Sequence, residues 1–244
     1  MVERYARFLE RFPTVGDCAA APVGAVIDEW AGLGYNRRAV HLHRAATRCV
    51  EDFDGRLPDA LEDLLTLPGV GPYTARAVLV FAHERDIGLV DTNAGRFVSR
   101  ALAGRRLRPA EAQSVADAGV PDGWGWTWGQ AVFDLGASVC LKRSPRCDGC
   151  PVRFQCAWAA AGFPEPDPVV GSAGISGPQS RFDGSDRQGR GRLVDALRTR
   201  PVPDAELATI MGWPDDPDRA QRVAGTLLAD GLARHTGAHW HLPR

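Results

Sequence analysis

The chain has 244 residues, 44% of them hydrophobic, with a formal net charge of -1 and a sequence pI near 6.6. That length can bury a sizeable core, in one large domain or in a medium and a small one. The near-neutral charge excludes a uniformly basic nucleic-acid coat but leaves room for a local basic stripe. No apolar run approaches the roughly 18 residues of a membrane helix, and the opening MVERYARFLERF is charged and amphipathic rather than a signal peptide. A soluble cytoplasmic protein without a membrane partner is expected, in which clustered cysteines point to metal rather than to disulfides.

From Val2 to about Trp158 the apolar residues recur at helical spacing in YARFLERF, VGAVIDEWAGL, RRAVHLHRAATRCVEDF, DALEDLLTL, YTARAVLVFAH and TNAGRFVSRALAG, with Pro and Gly punctuation between them. Short connections predict antiparallel helical neighbours. In LPGVGPYTARAVL, Gly69, Val70 and Gly71 form a tight turn between two helical segments. Glycines let a phosphate approach the backbone there, and the N–H groups that open the next helix point outward with a favourable dipole. An ordinary helix turn is the alternative reading of the same residues.

Asp91, in GLVDTNAGRFVSR, follows an apolar stretch and precedes a helix. That is the position of an N-cap, the commonest role of an Asp there. Four of the six cysteines then fall within SVCLKRSPRCDGCPVRFQCAW as Cys140, Cys147, Cys150 and Cys156, spaced C-x6-C-x2-C-x5-C. Soft thiolates at such range suit zinc or an iron-sulfur cluster, and only Cys147 and Cys150 have the short knuckle spacing usual for zinc. Lys142, Arg143, Arg146 and Arg153 surround the ligands, either as cations for a phosphate backbone or as a solvated loop. Cys18 and Cys49 sit on apolar helical faces and are expected in the core.

Residues 162–186, rich in Pro, Gly and Ser, read as a linker. Residues 187–244 read as three helices, GRLVDALRT, DAELATIMG and DRAQRVAGTLLADG, closed by the alternating LARHTGAHWHLP. This order resembles a winged helix-turn-helix with the third helix as recognition helix, although the same pattern serves protein docking. Arg187, Arg190, Arg192, Arg198 and Arg200 near its start suit either phosphate binding or a solvated face.

The cysteine spacing is similar to the [4Fe-4S] loop of the endonuclease III superfamily of DNA glycosylases, and LPGVGPYTARAVL resembles the helix-hairpin-helix motif of that superfamily. Within it, EWAGLGYNRRAVHLHRAA is similar to the W-x-G-L-G-Y-Y-x-R-A stretch of the A/G-specific adenine glycosylases, and RFPTV, LPGVGPYTA and GQAVFDLGASVC resemble their counterparts. The resemblance covers about residues 2 to 160. It implies a mainly α helix-hairpin-helix glycosylase domain over residues 1–161, containing an iron-sulfur loop at 140–156, with the linker and a small winged-helix-like domain after it.

It implies further that a monomer binds double-stranded DNA carrying a mismatch or damaged base, flips an adenine opposite guanine or 8-oxoguanine, and hydrolyses its N-glycosidic bond. Asp91, Asn93 and Tyr73 would be catalytic, with Asp91 stabilising the oxocarbenium-like sugar and the other two orienting the intermediate and the water. Gly69, Val70, Gly71, Tyr35, Arg38 and Gln130 would contact DNA, and the four clustered cysteines would hold the cluster. Bifunctional members form a Schiff base through a lysine where this chain has Tyr73, and Lys142 is its sole lysine. A monofunctional enzyme is therefore expected.

The chain departs from the family pattern in three ways. The family's general acid lies in a motif like E-x-M-L-Q-Q-T, and Met1-Val2 aligns just beyond it, with neither Glu3 nor Glu10 matching. Asn36 replaces the second tyrosine of G-L-G-Y-Y, and the last residues are too few and too helical for a Nudix-like domain. A thymine or uracil mismatch glycosylase and a DNA-binding protein without catalysis remain as alternatives.

Overall fold

The structure is a computed structural model that describes residues 2–172 and 181–243. It is mainly helical, as expected, and its contacts divide it into two compact units, which are described separately. Residues 173–180 of the expected linker 162–186 lie outside the described residues. Among the described residues, no helix is long and apolar enough to cross a membrane.

One unit comprises the described residues within Met1–Pro58, Thr66–Gly69 and Gln179–Arg244. Its first part holds α1 (Val2–Arg11), α2 (Val15–Ala20), α3 (Val23–Glu29) and α4 (Arg37–Asp52). Thr14 starts α2 through a capping box: its Oγ1 accepts from Asp17 N at 3.1 Å while its own N–H donates to Asp17 Oδ2 at 3.0 Å. Between α3 and α4 the stretch WAGLGYN turns through left-handed backbone at Gly32, Gly34 and Tyr35, and the Trp30 indole N–H closes it onto Gly34 O at 3.0 Å. The glycines accept that conformation freely.

The second part of this unit reproduces the winged-helix order. Helix α11 (Asp186–Thr199) is followed by strand β1 (Val202–Pro203), α12 (Leu207–Met211), α13 (Pro217–Ala229), β2 (Arg234–Thr236) and β3 (His239–His241). The sheet is antiparallel in the order β1-β3-β2, and Trp240 on β3 is buried. Two features part from the sequence reading. The residues after 187 do not form a core of their own: Leu193, Val194, Leu227 and Trp240 share one apolar cluster with Phe12, Val26, Ile27 and Val40. The units are thus not the contiguous 1–161 and 187–244 division, because the apolar faces of α3 and α4 are covered by the C-terminal helices. The third helix also makes a poor DNA reader. Its buried stripe of Ala220, Val223, Ala224 and Leu227 serves the core, Asp215, Asp216 and Asp218 crowd its exposed start, and Arg219 is tied to Asp186 at 2.7 Å. Carboxylates at that end repel phosphates.

The other unit comprises the described residues within Asp59–Leu65 and Val70–Pro178. It carries most of α5 (Leu61–Thr66), then α6 (Pro72–Phe81), α7 (Ala94–Phe97), a π-helical turn at Val98–Ala103, α8 (Pro109–Ala118), α9 (Gly125–Ser138) and α10 (Ala157–Ala160). Helix α6 opens with Pro72 at its first position, where a missing N–H costs nothing. Gly129 lets α9 pack closely on Phe81 and Leu89, since an added Cβ would lie 3.3 Å from the Phe81 ring. The π-helical turn ends at Gly104, in left-handed conformation and packed on Ala157.

The C-terminal end locks onto α3 at Gly24, where a Cβ would stand 2.2 Å from the carbonyl oxygen of Pro243. Gly24→Ala is expected to destabilise the protein by about 1–3 kcal/mol through overpacking, read as a lower denaturant midpoint. An unchanged midpoint would refute this packing.

Candidate active site

Asp91 lies at the entrance to α7. Its Oδ1 accepts from the N–H groups of Asn93 at 2.7 Å and Ala94 at 2.6 Å, and its own carbonyl accepts from Gly95 N at 2.8 Å. The carboxylate therefore does cap the helix, the role its sequence position predicts. One oxygen does this work. Tyr73, in the first turn of α6, stands close enough to feel that charge: burial first, then the negative charge of Asp91, push its phenol above the ordinary tyrosine value. The Tyr73 ring tilts against Phe133 of α9, centroids 6.4 Å apart, and is 42% exposed. Asp91, Asn93, Tyr73 and Gln130 all belong to the same unit, with Gln130 half-buried on α9.

Asn93 is held by an arginine that sequence reading passed over. Arg96 is 7% exposed and donates through Nη2 to Asn93 Oδ1 at 2.6 Å and Gly136 O at 2.5 Å, through Nη1 to Thr92 O at 2.7 Å, and through Nε to Cys140 O at 2.8 Å. Its acceptors include carbonyls at the end of α9, where helix carbonyls lack partners and the helix dipole favours a cation. Gly136 permits the approach, because a Cβ there would sit 2.6 Å from Asn93 O.

One helical turn on, Arg100 is 1% exposed and clamps the cysteine loop. Its guanidinium bonds Asp167 through Nε at 2.9 Å and Nη2 at 2.5 Å, donates to Leu141 O at 2.7 Å, reaches Cys140 Sγ at 3.5 Å and lies 5.1 Å from the centroid of the Trp158 ring. Burial alone would raise the Asp167 carboxyl, but hydrogen bonds from Arg100 and Val169 N–H outweigh it and hold it below its usual range. The loop is shaped by short turns, with Cys150 N donating to Cys147 O and Cys156 N to Arg153 O, both at 3.2 Å. Cys140, Cys147, Cys150 and Cys156 line one small cavity with Pro145, Val152 and Trp158. Cys18 and Cys49 are buried in the other unit, as expected of core residues.

In the unit that contains α4, Gly69 has a left-handed backbone and packs so tightly on His41 that a Cβ would stand 2.4 Å from its Nδ1. At Gly71, the N-cap of α6, nothing lies within 4 Å of a Cβ position, so the backbone is open on that side at this residue. Tyr35 is 64% exposed, with the Arg38 guanidinium 5.1 Å from its ring centroid. Asn36 accepts from Arg198 Nη2 at 3.0 Å, so a side chain of α11 fixes the turn that presents Tyr35. The sequence signal for Arg96 and Arg100 was available: two arginines four apart in an otherwise apolar helical stretch share one buried face.

A model of the helix-hairpin-helix motif matches residues 52–81. Over 237 residues the chain is 40% identical to the adenine DNA glycosylase of Mycolicibacterium smegmatis, covering 95% of this chain and 78% of that protein. It is 38% identical to the adenine DNA glycosylase of Mycobacterium tuberculosis, covering 94% and 75% respectively. Among solved structures, a thermostable thymine-DNA glycosylase superposes with a TM-score of 0.58 and 25% identity over 65% of this chain and 76% of that one.

The Arg100–Asp167 clamp makes a measurable claim. Breaking a buried pair by removing one partner costs about 3 kcal/mol or more, so Asp167→Ala is expected to lower the denaturant midpoint and to speed proteolysis in the cysteine loop. Parental behaviour in both assays would rule the clamp out.

Proposed function

Because the chain belongs to the adenine DNA glycosylase family, we propose that it excises adenine mispaired with guanine or 8-oxoguanine in double-stranded DNA by hydrolysing the N-glycosidic bond. The observation that carries this reading is 40% identity sustained over 95% of the chain. The work is base-excision repair, carried out by a monomer in the cytoplasm, on DNA.

A stacked adenine is out of reach of any side chain, so the nucleotide must leave the helix, and contacts to the backbone offset the unstacking. The turn of Gly69, Val70 and Gly71, with the N–H groups opening α6, supplies such a contact. Tyr35 and Arg38 offer a ring and a cation, and Gln130 offers a polar group on α9. As the base departs, positive charge develops on the sugar, and a carboxylate fixed beforehand lowers that barrier. Asp91 fits the role: two N–H groups hold Oδ1, which leaves the other oxygen to face the sugar. Tyr73, its phenol raised above the ordinary value, stays a neutral O–H donor at working pH. With Arg96 holding its carbonyl oxygen, the Asn93 amide can turn its NH2 toward the incoming water. With tyrosine at position 73 the nucleophile is water and no Schiff base forms there. The general acid that protonates the leaving adenine is not assigned to a residue of this chain.

The cysteine cavity fits a [4Fe-4S] cluster in its donor set: four soft ligands around one apolar-walled space, with the Arg100 cation beside Cys140 to offset thiolate charge. When bound, the cluster would supply a rigid cross-link and a one-electron redox centre. The purified protein is expected to be brown, with visible absorption and four irons per chain; stoichiometric zinc without iron would overturn the assignment.

Single-turnover base release should be measured on duplexes carrying adenine opposite 8-oxoguanine, with a guanine–thymine duplex as control because of the likeness to a thymine-DNA glycosylase. The assay uses the 244-residue chain and a version carrying any residues encoded in frame ahead of Met1. Adenine release is expected, and Asp91→Asn should reduce it by about 10²-fold or more while duplex affinity stays within a few-fold. Thymine release alone would move the substrate, and undiminished turnover by Asp91→Asn would remove its role.

A further inference from the structure

In the unit that contains the winged-helix segment lies a cavity of about 820 Å³, walled on one side by the turn before α4 and on the other by the start of α11. That volume falls within the range of sites that hold small organic ligands. Its floor is apolar, formed by Val194, Leu227 and Leu232, but its rim is cationic: Arg37, Arg38, Arg187 and Arg190 line it, and among the described residues Asp230 is the one carboxylate there. Asp230 is already engaged, by Arg190 Nη2 at 2.5 Å and by Arg37 Nε at 3.6 Å. Burial first, and then the charges of Arg37 and Arg44, push the His41 imidazole below its usual value against the opposing charge of Asp230.

Two aromatic rings line the cavity, and both are exposed. Tyr35 is 64% exposed and Phe182 is 55% exposed. Each has a guanidinium near its ring, Arg38 at 5.1 Å and Arg187 at 5.9 Å from the respective centroids. Tyr35 is presented by backbone in the left-handed region, φ 48°, which an L residue adopts at a cost, and the Arg198–Asn36 bond from α11 helps hold that turn. Exposed flat rings interleaved with arginines around a concave surface match the needs of a nucleotide: a π-face for the base and cations for the phosphate. An apolar peptide or a lipid tail would bring no anionic group to a rim rich in arginine.

We propose that this cavity binds an unpaired nucleotide unit, with the base against Tyr35 or Phe182 and the phosphate on Arg38 and Arg187. The winged-helix segment thus contributes to nucleic-acid binding through the opening of α11, not through α13. The site shares Tyr35 and Arg38 with the DNA reading above, but Phe182 and Arg187 belong to it alone. The same chemistry can come from a single strand of DNA or from a free nucleotide.

The test is binding by the full chain of labelled single-stranded hexathymidylate and, separately, of dGMP, for the parent, Phe182→Ala, Arg187→Ala and Phe154→Ala. Phe154, an exposed ring in the cysteine loop, is the control. Loss of a stacking ring should weaken hexathymidylate binding about tenfold, and loss of Arg187 should reduce the slope of log affinity against log salt by about 0.7. Both variants alter exposed side chains, and unchanged melting temperatures would show that they fold. Sensitivity of hexathymidylate alone assigns the site to a strand; equal sensitivity of dGMP assigns it to a free nucleotide as well. Parental binding by both variants, or an equal loss in Phe154→Ala, overturns the proposal. Hexathymidylate carries no adenine to excise, so this result stands apart from the base-release assay.

Discussion

The Asp91–Asn93 loop and the cysteine loop are held together by the burial of two guanidinium groups, Arg96 and Arg100, one helical turn apart. Taking a charge out of water is expensive unless its hydrogen bonds are replaced. Arg96 replaces them with carbonyl oxygens and the side chain of Asn93, whereas Arg100 has the Asp167 carboxylate, a loop carbonyl and a cysteine sulfur. The stretch from Ala94 to Ala103 thus acts as a strut with the Asp91–Asn93 loop at one end and the cysteine loop on its flank. The wide π-helical turn lies within this strut, the kind of irregularity that often marks functional helices. Loss of either arginine would strand buried acceptors as well as a contact, so the strut resists piecemeal change.

The other unit shows how a familiar topology can be put to a different use. The helix-strand-helix-helix-strand-strand order is complete, down to the paired β2 and β3. Yet its third helix spends its apolar stripe on a core shared with α3 and α4 and opens with acidic residues. Packing, not groove reading, explains α13. The positive charge is carried instead by α11, whose Arg198 fixes Asn36 and whose Arg187 and Arg190 face Tyr35 across a cavity.

Much of this was legible in the sequence, for identifiable reasons. Helical periodicity marked α3, α4 and α6, because a half-buried helix must repeat its apolar residues every three or four positions. The Gly-rich hairpin was readable because its left-handed turn favours glycine, and the cysteine spacing because it brings four thiols to one cavity. What escaped were relations between distant segments. Nothing local in GRLVDALRT says that Leu193 and Val194 meet Ile27 rather than a core of their own. Asp167 fell in a stretch read as linker, although its carboxylate is needed 67 positions earlier in the chain, at Arg100. Asn36, plain as a turn residue, gained its partner only when α11 packed beside it.

Asp91 shows why a structural role and a chemical one need not compete. A carboxylate that merely caps a helix is satisfied by the N–H groups it accepts, and a mobile carboxylate near a sugar would have to be oriented during the reaction. With Oδ1 pinned by Asn93 and Ala94, the plane of the group is set before any substrate arrives, and the reorientation cost has been met in folding. A cation forming beside the remaining oxygen then gains stabilisation that the uncharged sugar does not, which is the condition for lowering a barrier rather than only tightening binding. The cap is therefore part of how such a carboxylate would work, and it ties the position of the negative charge to the strut formed by Arg96 and Arg100.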